Sequence, residues 1–73
     1  MTDTTDTTSV TINGEVRPVP AGCTLAQMIE SLGLNPAKVA VEQNLAIVPR
    51  STLGAVRVAD GDRFEIVHFV GGG

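Results

Sequence analysis

Leu25, Met28, Ile29 and Leu32 recur at i, i+3, i+4 and i+7, the spacing that sets four apolar side chains on one face of a helix. No other segment carries that period convincingly. Whatever sheet the rest of the chain builds can therefore be covered on one face only, and the expected fold is α+β, with one main helix packed across a mixed four- to five-stranded sheet. Thr24 can cap this helix and Gln27, three residues on, completes a capping box. Gly33 supplies the left-handed position that ends a helix, and Asn35-Pro36 forbids continuation, so the helix is expected over 25–32 with Ala26, Gln27, Glu30 and Ser31 turned to water.

Ahead of the helix, Val10 and Ile12 alternate with Thr11, Asn13-Gly14 interrupts, and 15–19 resumes an extended run. Asn-Gly between two such runs predicts a hairpin, because a type I′ turn needs positive φ at both central positions. Pro18 and Pro20 lack N–H donors, which assigns the second strand to a sheet edge. After the helix, strands are expected over 38–43, 46–48 and 63–70, with one helical turn near 51–53 and turn chemistry at Asp60-Gly61-Asp62. In the last strand Phe64, Ile66 and His68 point one way while Glu65, Val67 and Phe69 point the other. Apolar groups on both sides make it a central strand, and with one helix available its second face is left for a loop or a partner.

Seventy-three residues close a single core, so a second domain is not expected. Residues 1–9 hold five threonines, a serine, Asp3, Asp6 and Met1, too little apolar surface to offset the entropy of ordering; they are expected to form a disordered leader before a domain over 10–70 and a flexible glycine tail over 71–73. Eight acidic against five basic side chains leave a net charge of -3, which argues against a nucleic-acid backbone as ligand. No apolar run approaches the roughly 20 residues that span a bilayer. The leader lacks the basic and hydrophobic regions of a secretory signal, so the expected location is cytoplasmic, and the lone Cys23 agrees with a reducing compartment.

The sequence has no Cys/His metal spacing, no glycine-rich phosphate loop and no nucleophile triad, and it carries a single histidine. What stands out is the end, where His68-Phe69-Val70 runs into Gly71-Gly72-Gly73. Four residues from Val70 reach roughly 13 Å when extended, enough to enter a narrow channel in another protein while the body stays outside. Gly71 and Gly72 keep such a stalk free of side chains, and the group presented is the carboxylate of Gly73. A carboxylate is a poor acyl donor, so acyl chemistry there needs activation, most simply by ATP; this acidic, motif-poor chain shows no site for the phosphates, and a separate enzyme would have to hold them. For a terminal glycine run taken alone, a frayed end is the favoured reading. Its place after a strand with an uncovered apolar face favours use.

Other residues have ordinary readings beside functional ones. Cys23 lies just before the helix, where the dipole can favour a thiolate, but a small residue packed beside the core explains it without chemistry. His68 reads as a border residue of the core, and Arg50 and Arg63 as solvated surface groups. Val67 and Phe69 are either covered by a loop or form an apolar docking patch beside the tail.

From Val10 to Gly73 the chain resembles the thiamin-biosynthesis sulfur carrier family, ThiS, a ubiquitin-like β-grasp family. The matching segments are the hairpin around Asn13-Gly14, Ala21-Gly22-Cys23-Thr24-Leu25, Ile47-Val48-Pro49-Arg50, Asp60-Gly61-Asp62-Arg63-Phe64-Glu65-Ile66-Val67, and the tail His68-Phe69-Val70-Gly71-Gly72-Gly73. Terminal Gly-Gly is shared with ubiquitin-like proteins and the molybdopterin synthase small subunit; the Val-Pro-Arg segment with this last strand and tail is more specific to the thiamin branch. The resemblance implies that Gly73 is adenylated by an E1-like adenylyltransferase of the ThiF type at the expense of ATP, with no cofactor bound to the carrier itself. The product becomes a thiocarboxylate, which donates sulfur for thiazole formation through a ThiG-type thiazole synthase. Two features depart from the family pattern: Leu53 stands where many members carry an aromatic residue, and the threonine-rich leader is extra. The alternatives are a carrier for molybdopterin synthesis, a non-covalent ubiquitin-like interaction module with incidental glycines, and an enzyme built on Cys23.

Overall fold

The computed structural model describes residues 6–69. Within them the chain runs β1 (Thr7–Ile12), β2 (Glu15–Pro20), α1 (Leu25–Ser31), β3 (Val39–Gln43), β4 (Ala46–Val48) and β5 (Arg63–His68), with 3-10 turns at Pro36–Lys38 and Arg50–Thr52. The sheet order is β2-β1-β5-β3-β4. β1 and β5 are parallel, and the other neighbours are antiparallel. One helix across a five-stranded mixed sheet, with β5 in the middle, is the β-grasp arrangement.

Local chemistry accounts for the elements that the sequence announces. Asn13 and Gly14 take φ of 51° and 83°, the pair of positive values that joins β1 to β2 without splaying the strands. The Thr24 hydroxyl accepts from the Gln27 N–H at 3.1 Å while the Gln27 side chain accepts from the Thr24 N–H at 2.9 Å, closing the capping box. The helix ends at Leu32, where Gly33 turns left-handed at φ 82°. Leu25, Met28 and Ile29 are wholly buried, and Phe64, Val10 and Val39 meet them from the inner face of the sheet. Ala26, expected in water, is half-buried against this core. β2 lies at the edge, where its prolines cost no ladder bonds to an outer neighbour.

Two expected boundaries move. Residues 7–9, assigned above to a disordered leader, belong to β1: Thr7, Thr8 and Ser9 pair with Pro20, Val19 and Pro18. The ordering comes from polar contacts rather than apolar burial. The Asp60 carboxylate accepts from the Thr8 hydroxyl at 2.8 Å and the Ser9 N–H at 3.1 Å, and the Gly61 N–H donates to the Ser9 carbonyl at 2.8 Å. Residues 1–5 of the proposed leader, and Val70, lie outside the described residues. At the other end β5 stops at His68 rather than continuing to residue 70. No helix among the described residues is long and apolar enough to cross a membrane.

Side-chain amides and carboxylates tie distant segments to the central strand. Asn13 accepts from the Ile66 N–H at 2.8 Å and donates to the Ile66 carbonyl at 3.1 Å, extending the short β1–β5 pairing beyond Ile12 and Phe64. Asp62 accepts from the Ala59 N–H at 2.8 Å, from Gln43 at 3.0 Å and from Asn44 at 3.1 Å. Burial alone would raise the Asp62 pKa, but those three donors outweigh it and hold the carboxyl below its ordinary value. The Thr8 hydroxyl, then the Ser9 N–H, do the same for Asp60. Carboxylates depressed in the fold contribute stability that is present above their unfolded pKa, about 3.9, and is lost as pH falls through the lower folded value. Thermal melts should therefore show a midpoint that declines below about pH 4. Asp62→Ala should lose on the order of 1–2 kcal/mol at neutral pH and show a shallower acid decline than the parent; an unchanged acid profile would show that Asp62 is not part of the linkage.

Candidate functional site

The side-chain alternation of β5 builds the candidate site. Phe64 and Ile66 enter the core, which forces Arg63, Glu65 and Val67 onto the opposite face of the sheet. Val67 is 60% exposed and the Phe69 ring, just past the strand end, 46%. In register with Val67 lies Ala40 of β3, and on the same outer face lies Ile47 of β4, 79% exposed. Ala40, Ile47 and Val67 line a shallow depression of about 160 Å³ together with Val41, Glu42 and Glu65. Glu42 and Glu65 sit directly opposite one another, a like-charge pair that gives the apolar patch an acidic flank. No loop among the described residues closes over Val67, 60% exposed, whereas the Phe69 ring is partly covered by Arg50.

A larger depression of about 380 Å³ lies at the other end of β5, lined by Glu42, Asn44, Leu45, Arg63, Phe64 and Glu65. Six residue steps separate Arg63 from Phe69, about 20 Å of strand, and Glu42 and Glu65 border both depressions. The larger one borders a second tight turn, in which Asn44 and Leu45 take φ of 51° and 73°.

The fold also places the other residues singled out from the sequence. Gly71, Gly72 and Gly73 lie outside the described residues. Cys23 is buried, its N–H donating to the Pro20 carbonyl and its carbonyl accepting from the Val58 N–H. Burial raises its thiol pKa, against a smaller lowering by a backbone hydrogen bond, so a thiolate at the helix end is not what the fold makes. His68 stands exposed at the end of β5, opposite Val39. Among the described residues no group of three metal-ligating side chains converges. Arg63 is exposed, its backbone N–H held by Asn44.

Two residues of the site were not assigned to it from the sequence. Ile47 was readable from the alternation of 46–48 once that segment is a sheet edge. Arg50 is not simply solvated: its guanidinium carbon lies 5.5 Å from the centroid of the Phe69 ring, a contact between distant segments that no local pattern signals.

Comparison with known proteins converges on the same chain segment. The model of the ThiS family matches residues 10–73. The thiazole synthases of Magnetococcus marinus and Paramagnetospirillum magneticum are 50% and 52% identical to the chain over 62 residues, 85% of this chain and 19% of each of those proteins. The chain thus spans about a fifth of the length of these relatives. The uncharacterized protein ycf40 of Porphyra purpurea is 31% identical over 65 residues, covering 89% of this chain and 92% of that protein. Among solved structures, the crystal structure of the thiamine biosynthesis protein ThiS from Geobacter metallireducens superposes with a TM-score of 0.75 at 29% identity, covering 89% of this chain and 99% of that one.

A buried, high-pKa thiol should react slowly. In the folded protein Cys23 is expected to alkylate with iodoacetamide at pH 7 far more slowly than in denaturant; equal rates in both states would show that the thiol is accessible and reactive.

Proposed function

The chain belongs to the ThiS family, and from that premise we propose that it is a sulfur carrier of thiamin biosynthesis whose working group is the Gly73 carboxylate. An E1-like adenylyltransferase of the ThiF type activates that group: a carboxylate oxygen attacks the α-phosphorus of ATP, pyrophosphate leaves, and the C-terminus becomes an acyl-adenylate. A sulfide-equivalent nucleophile then adds to the acyl carbon, the bond from carbon to the AMP oxygen breaks, and a thiocarboxylate remains. The softer sulfur is passed to a ThiG-type thiazole synthase for thiazole formation. The carrier itself performs no catalysis; the cations that stabilise phosphoryl and acyl transfer belong to the partner.

The observation that carries this reading is the outer apolar patch of Ala40, Ile47, Val67 and Phe69 at the end of β5 from which the glycines continue. A body that docks through Val67 and Phe69 beside the root of a side-chain-free stalk delivers its last residue to a fixed depth in the partner. The thiazole synthases that contain a segment half-identical to this chain support thiazole synthase as the acceptor and the thiamin branch over the molybdopterin one.

Incubation of the full chain with ATP, magnesium, a sulfide source and a ThiF-type enzyme, followed by intact-mass measurement, is expected to show one oxygen exchanged for sulfur at Gly73. Deleting Gly73 should abolish that product with no change in thermal midpoint, because the tail contributes little to the core. Sulfur delivery that survives the deletion would leave a passive interaction module as the better reading. Cys23→Ala should form the product in full, and loss of it there would instead point to a cysteine-based function. Val67→Asp should slow modification by about fivefold or more without unfolding the domain; unchanged kinetics would remove Val67 from the docking surface.

A further inference from the structure

We propose that Arg50 is a positioning residue that clamps the Phe69 ring and so fixes how that side chain is presented on the docking face, an inference that rests on the carrier reading above. The Arg50 guanidinium carbon lies 5.5 Å from the Phe69 ring centroid, inside the about 6 Å range over which a cation is held by an aromatic face. Its Nε also donates a long hydrogen bond of 3.5 Å to the Val39 carbonyl. The Phe69 backbone is held at the neighbouring residue, its N–H donating to the Lys38 carbonyl at 2.8 Å. Main chain and side chain of Phe69 are thus both fastened at the start of β3, one directly and one through Arg50.

Arg50 is itself well placed to act as a fixed arm. It opens the 3-10 turn Arg50–Thr52 directly after Pro49, and its carbonyl accepts from the N–H of Leu53, whose side chain is buried in the core. Leu53 therefore anchors the backbone from which the clamp projects. A lysine at 50 would keep the charge but not the planar group that lies over a ring.

The clamp acts by population. If the released Phe69 ring samples several rotamers, only a fraction of carriers present the docking face correctly, and apparent affinity for the partner falls by that fraction while the chemistry proposed at Gly73 is untouched. Removing Arg50 should then raise KM for the carrier and leave kcat unchanged.

The test uses the full chain with Arg50→Gln, Arg50→Lys, Phe69→Leu and the double variant Arg50→Gln/Phe69→Leu. In NMR relaxation, Arg50→Gln is expected to increase the motion of the Phe69 ring while the amides of 64–66 stay as in the parent. In thiocarboxylate formation it should raise KM about two- to fivefold, the range set by an exposed cation–π contact, with kcat unchanged. Arg50→Lys should recover part of the effect, and the double variant should be no worse than the worse single. Unaltered motion of the Phe69 ring in Arg50→Gln would overturn the clamp, as would additive KM effects, which would mean that Arg50 meets the partner independently. A parent chain that forms no thiocarboxylate would instead sink the carrier reading, and the relaxation data would still decide the contact.

Discussion

Burial of one sheet face beneath a two-turn helix is the constraint from which the other features follow. Leu25, Met28 and Ile29 are sealed against Phe64 of the central strand, and each such side chain contributes roughly 1.5–3 kcal/mol when taken out of water. A slip of one residue in β5 would exchange Phe64 and Ile66 for Glu65 and Val67 and bury a charge, so the register is strongly specified. The same alternation that satisfies the core puts Val67 outside. The exposed patch is thus a geometric by-product of the core, available wherever one helix serves a two-sided strand.

That register is reinforced from outside the core. β1 meets β5 over only two residue pairs, and the Asn13 amide continues the ladder by gripping both backbone groups of Ile66. Ile66 immediately precedes Val67, so a turn residue of the first hairpin helps to hold the strand that carries the patch. At the other end of β5, Asp62 gathers the second hairpin and the turn before the strand onto one carboxylate. Positioning of the site is therefore distributed over hydrogen bonds between segments about fifty residues apart in sequence for Asn13 and about twenty for Asp62.

Much of this was legible because the controlling physics is local. The helix announced itself through its apolar period and capping box, the first hairpin through Asn-Gly, the edge strand through its prolines, and the centrality of β5 through apolar residues on both faces. Legibility failed where order comes from remote polar contacts. Thr7 to Ser9 look like solvated leader by composition, yet Asp60 and the edge strand order them. The turn at Asn44-Leu45 carries no glycine, and its left-handed backbone is sustained by Asn44 bonds to Arg63 and Asp62 instead. Arg50 was invisible for the same reason, since nothing near it in sequence points to Phe69.

The fold also divides the labour that the proposed carrier chemistry requires. Cys23 is the one thiol in the chain, and the core has enclosed it and raised its pKa. On the proposed reading, sulfur arrives from another molecule and attacks a carbon that this chain supplies. What the chain would add on that reading is placement: a strand register held by core and hydrogen bonds alike, an exposed apolar face at Val67, and Phe69 in contact with Arg50 and Lys38. Preorganisation of that kind lowers the entropic cost of bringing a terminal carboxylate to a distant active site.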